Sequence, residues 1–81
     1  MNTRIKQTVV ASMVEIFKTN VFDQVEANEL ISTLMQQLPG CRINFDLEDC
    51  DKILRIEGEM AEIEKVRMLM IEYGYLCEVL T

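Results

Sequence analysis

The stretch Pro39-Gly40-Cys41-Arg42-Ile43-Asn44-Phe45-Asp46-Leu47-Glu48-Asp49-Cys50-Asp51-Lys52-Ile53-Leu54-Arg55-Ile56-Glu57-Gly58 decides how this chain folds. It opens on Pro-Gly, which stops a preceding helix. Cys41, Ile43, Phe45 and Leu47 then alternate with Arg42, Asn44, Asp46 and Glu48. A period of two belongs to a strand with one buried face. Asp49, Cys50 and Asp51 make an acidic turn, and Lys52 to Glu57 return as a second strand with Leu54 and Ile56 inward. Gly58 closes the unit, so the stretch predicts a β-hairpin.

Upstream, Asp23 is a candidate N-cap with Glu26 three residues on, close to a capping box. Val25, Leu30, Ile31, Leu34 and Leu38 recur near helical spacing up to the Pro-Gly stop. Before that helix, Val14 to Thr19 form a β-prone run with partial alternation, and Asn20 to Phe22 connect the two. Downstream, a helix from about Met60 to Tyr73 has Ile63, Val66, Leu69 and Met70 on its apolar face. Gly74 suits a left-handed C-cap. Tyr75 to Leu80 read as a last strand with Cys77 and Val79 inward. The order is β-α-β-β-α-β, with a faint repeat that puts Gly40 and Gly74 at matching corners. Chain-connection rules turn that order into an α+β, ferredoxin-like sandwich: a four-stranded antiparallel sheet with two helices on one face. The other face is left open, with Phe17, Asn44, Ile53, Arg55, Leu76 and Leu80 expected on it. Residues 1–12 show weak periodicity and read as a loosely attached N-terminal extension; residues 13–81 read as the single domain.

Composition narrows function by exclusion. The chain has 81 residues, 8 basic against 14 acidic, a net charge of −6 and no His. A nucleic-acid surface needs a basic footprint, so nucleic acid is not an expected partner. Without His, no Ser-His-Asp or Cys-His arrangement can form within one chain. The three glycines are isolated, which excludes a phosphate-cradling loop. No catalytic group set is visible, so the chain reads as non-enzymatic and without a cofactor. The three cysteines, Cys41, Cys50 and Cys77, are odd in number and widely spaced, with no CxxC pair. That suits reduced thiols in the cytoplasm better than a secreted disulfide framework. No apolar run approaches the ~20 residues that cross a bilayer.

Residues 13–81 resemble the heavy-metal-associated domain of copper chaperones and metal-transporting ATPases. The corner Leu38-Pro39-Gly40-Cys41 looks like that family's Leu-x-Gly-Val corner, and Gly74-Tyr75-Leu76-Cys77-Glu78-Val79 is similar to its closing Gly-Tyr-x-Ala-x-Val. The family binds soft ions through Met-x-Cys-x-x-Cys at the start of its first helix. Counting back from the Pro-Gly corner, Phe22 stands for the Met, Gln24 for the first Cys and Ala27 for the second. Gln is a poor Cu(I) ligand and Ala is none. The resemblance therefore implies a divergent member with the scaffold and without the metal motif.

Other constellations have plain structural readings beside functional ones. Cys41 and Cys77 fall on strands at opposite edges of the expected sheet and read as core filling. Asp46, Glu48, Asp49 and Asp51 form the densest acidic cluster, and Cys50 sits within it. Asp49, Cys50 and Asp51 are candidate metal ligands, although no EF-hand spacing occurs and a solvated hairpin that protects a sheet edge is the ordinary account. The methionines on the second helix, Met60, Met68 and Met70, read first as packing and surface. The leading expectation is a protein-interaction or accessory module acting through its open sheet face, with Phe17, Ile53, Arg55, Leu76 and Leu80 as the surface and a protein partner or a second copy as the ligand. The alternatives are metal binding or transfer through non-standard ligands at the hairpin or across a dimer, and an accessory domain that senses a small molecule.

Overall fold

The computed structural model describes residues 12–80, so the expected extension lies, apart from Ser12, outside the described residues. Six elements follow in the expected order: β1 (Met13–Thr19), α1 (Gln24–Gln37), β2 (Arg42–Asp46), β3 (Ile53–Gly58), α2 (Met60–Glu72) and β4 (Cys77–Val79). The strands form one antiparallel sheet in the order β2-β3-β1-β4. Leu54 and Ile56 of β3 join one buried cluster with Leu30 and Leu34 of α1 and with Ile63, Val66 and Met70 of α2. Both helices therefore cover the same face of the sheet, in an α+β arrangement compatible with the ferredoxin-like sandwich.

Local chemistry sets the element ends. Asp23 is extended, and its carboxylate accepts a hydrogen bond from the Val25 amide at 3.3 Å, as an N-cap should. At the end of α2, Gly74 takes φ +92°. The Tyr75 amide donates to the Met70 carbonyl and the Gly74 amide to the Ile71 carbonyl, both at 3.0 Å. These two bonds are a Schellman motif, which satisfies carbonyls that the helix end would orphan. The β2–β3 hairpin closes on Lys52, whose φ of 48° is the only positive value on a non-glycine residue among the described residues. The Lys52 amide donates to the Asp49 carbonyl at 3.0 Å, and its ammonium donates to the Leu47 carbonyl at 2.8 Å.

Four expectations are corrected. Phe17, expected on the open face, is 1% exposed and lies in the core. Its cross-strand partner is Leu54, and paired residues in a ladder share a face. Val25, expected on the buried stripe of α1, is 62% exposed, because α1 turns Ala27, Leu30 and Leu34 inward. Val79 pairs with Phe17 yet is exposed, since β4 is the edge strand and keeps only three residues. The strands β2 and β4 are both shorter than their alternation predicts.

The inward set of β1 includes Thr19, a buried polar residue whose hydroxyl and amide are both paired. Its hydroxyl donates to the Lys52 carbonyl and accepts from the Val21 amide at 3.3 Å, and its amide donates to the Asp51 carbonyl at 3.1 Å. A hydroxyl so paired avoids the desolvation cost of an orphaned group. It also ties the β1–α1 loop to the hairpin.

Candidate functional site

The positions that match the heavy-metal-associated motif surround the start of α1. Phe22 is 70% exposed, Gln24 is the exposed first residue of the helix, and Ala27 is fully buried. The Lys52 ammonium sits 5.6 Å from the centre of the Phe22 ring, a cation–π contact that again joins this loop to the hairpin. The side chains at the two expected ligand positions are an amide, Gln24, and a methyl, Ala27, so the paired thiolates a soft ion needs are missing there.

The hairpin brings three donors together. One ligand atom each of Asp49, Cys50 and Asp51 lies within 4.8 Å of the others. Asp49 also accepts a hydrogen bond from the Asp51 amide at 2.8 Å, an Asx turn that organises the acidic stretch without any ion. Asp46 does the same for the Glu48 amide at 3.2 Å. Cys50 is exposed, whereas Cys41 and Cys77 are buried. These two thiols sit at opposite edges of the sheet, beside β2 and on β4, so they do not meet. Burial, the Glu62 carboxylate and a hydrogen bond to it push the Cys41 thiol up to about 11. Burial pushes the Cys77 thiol up to about 11 as well, against the pull of Arg67. Both are core residues with little thiolate character at neutral pH.

Among the described residues the second face of the sheet is covered by no helix, because both helices pack on the other side. Alternation assigns it Val14, Ile16 and Lys18 of β1, Arg42, Asn44 and Asp46 of β2, Ile53, Arg55 and Glu57 of β3, and Glu78 of β4. Leu80 continues the last strand, donating its amide to the Ile16 carbonyl at 2.8 Å. Ile16, Ile53 and Arg55 are half-buried, and Leu76 and Leu80 are exposed. Of the expected interaction residues, Phe17 belongs to the opposite face, and Leu76 precedes β4, outside the sheet. Charges of opposite sign oppose one another here: Arg42 pairs with Glu57 and Lys18 with Glu78 in the register, and Arg55 is 3.8 Å from Glu57. The face holds three basic and three acidic residues of the 8 and 14 in the chain, so the remaining 5 and 11 carry the whole net charge of −6.

A second concave feature escaped the sequence reading. A cleft of about 270 Å³ opens between α1 and the α2–β4 turn, lined by Glu26, Glu29, Leu30, Thr33, Tyr73 and Tyr75. The Tyr73 hydroxyl accepts a hydrogen bond from the Gln37 amide at 3.2 Å. Burial, the Glu26 carboxylate as hydrogen-bond acceptor, and the charges of Glu26 and Glu29 hold the Tyr75 phenol above its ordinary value. The two walls are forty or more residues apart in the chain, and nothing local in either segment points to the other. The one legible signal was Glu26 and Glu29 at i, i+3 on a helix that has no basic residue.

Among the described residues no helix is long and apolar enough to cross a membrane. No protein-family model, curated protein or solved structure matches this chain.

Proposed function

We propose that this chain is a non-enzymatic cytoplasmic interaction module, a divergent relative of the heavy-metal-associated domain without its metal motif, which docks through the open face of its sheet. The occupant proposed is a second copy of the chain. The observation that supports this reading is the charge balance of that face. Two copies carrying −6 each repel one another, and the open face is the surface where opposite charges already oppose and where Ile16, Ile53 and Leu80 offer apolar area. A two-fold axis running across the strands turns Arg42 onto Asp46 of the other copy and Ile16 onto itself. Arg55 would meet its own copy, with Glu57 at 3.8 Å to neutralise it. Aligned packing of two such sheets is a standard arrangement, and an isologous contact is how most dimers close.

Size-exclusion chromatography with light scattering tests the reading on the full chain. The expected result is a dimer that Ile16→Lys, which sets two like charges against each other on the axis, converts to a monomer with an unchanged circular dichroism spectrum. A wild-type chain that stays monomeric at high concentration overturns self-association.

A second reading has one observation in its favour, the convergence of Asp49, Cys50 and Asp51 donors within 4.8 Å. It makes the hairpin a metal-binding or transfer site. Native mass spectrometry of the reduced chain with Cu(I), Zn²⁺ and Ca²⁺ decides it: binding that survives Cys50→Ser removes the thiol from the site, and no binding removes the site.

A further inference from the structure

We propose that the cleft between α1 and the α2–β4 turn binds a small protonated alkylamine. It lies on the helix side of the molecule, away from the open sheet face, so the proposal stands or falls independently of the docking reading.

The lining selects for this class. Glu26 and Glu29 place two carboxylates one helical turn apart on one wall, and neither has an ion-pair partner among the described residues. No Lys or Arg contributes to the lining. An anion would be repelled, and a neutral ligand would supply no counter-charge to Glu29 or to Glu26, whose one polar partner here is the Tyr75 hydroxyl. The opposite wall is aromatic: Tyr73 and Tyr75 supply π-systems of the kind that attract organic cations, and hydroxyls that can accept from an ammonium. Leu30 gives an alkyl chain an apolar floor, and the Thr33 hydroxyl is a further acceptor. A hard divalent ion is served less well, since it asks for six or more oxygens and would leave the aromatic wall unused. The volume, about 270 Å³, suits a molecule smaller than a drug.

The chain reports on this cleft by itself. It has two tyrosines and no tryptophan, and both tyrosines line the cleft. Intrinsic tyrosine fluorescence of the full chain is followed while 1,4-diaminobutane is added at constant ionic strength. Butane-1,4-diol is the neutral control, and MgCl₂ controls for general screening of carboxylates. The expected result is a saturable change with the diamine alone, weakened about tenfold or more in the Glu26→Gln/Glu29→Gln variant, because the Coulomb attraction is removed at both sites. Gln matches Glu in size and in helix propensity at both positions, so the variant keeps its helix, which far-UV circular dichroism verifies. No saturable response, an equal response to the diol or to MgCl₂, or unchanged affinity in the folded double variant overturns the proposal.

Discussion

The Sγ of Cys41 rests against Gly58: a methyl group placed on that glycine would sit 2.8 Å from the sulfur. The contact joins the start of β2 to the end of β3 across the sheet, and it explains why a strand residue at this point has no side chain. The backbone of Gly58 is not in the left-handed region, so the requirement is purely one of space.

Gly58→Ala is accordingly expected to destabilise the fold by about 1–3 kcal/mol through overpacking. Truncating the sulfur in Cys41→Ala should make room, so the double variant loses less than the sum of the singles. Urea unfolding of all four proteins measures this coupling; strict additivity would show that the sulfur is not the obstacle.

The two buried thiols set an alkaline limit on stability. Each has its ordinary value of 9.0 raised to about 11 in the folded chain. The unfolded chain therefore ionises first, and the folded state loses stability as pH climbs from about 9 to about 11, with the full contribution present below 9. Urea midpoints across that range should fall, and Cys77→Ala should flatten the decline. At neutral pH, only Cys50 should react promptly with a thiol reagent, and the other two should follow on unfolding.

Phe17 and Leu80 test which face of the sheet is the core. Phe17→Ala should cost about 3–5 kcal/mol, as a fully buried aromatic does. Leu80→Ala, at an exposed position, should stay within about 0.5 kcal/mol in dilute protein. Similar losses at both positions would mean that the open face is buried against something in solution.

Gly74→Ala introduces a Cβ at φ +92° with open space around it, so the cost is one of backbone conformation alone. A loss of about 1–2 kcal/mol in thermal or urea unfolding is expected. Since Tyr75 follows directly, the same variant should also disturb the tyrosine fluorescence that reports on the cleft.

The hairpin, both helices and the six-element order were legible because each has a local signature: strict alternation from Cys41 to Glu48, an N-cap at Asp23, a Pro-Gly stop and a Gly C-cap. The orientation of β1 was not. Its run Met13-Val14-Glu15-Ile16-Phe17-Lys18-Thr19 has apolar residues at both parities, so alternation cannot choose a face. Val14 and Ile16 on one side are matched by Met13 and Phe17 on the other, so the apolar count does not choose either. Alternation put Ile53 and Arg55 on the open face, and it failed at Phe17 for this reason.

The sequence by itself determined the succession of elements, the −6 charge and the missing histidines, because these depend on residue identity and short-range spacing. The tertiary structure alone decided that Phe17 pairs with Leu54 and goes inward, that Thr19 can be buried because the hairpin carbonyls meet it, and that Glu26 and Glu29 face Tyr73 and Tyr75. Each of these joins residues more than thirty positions apart. Such contacts follow from strand register and helix packing, which no local pattern in the chain encodes.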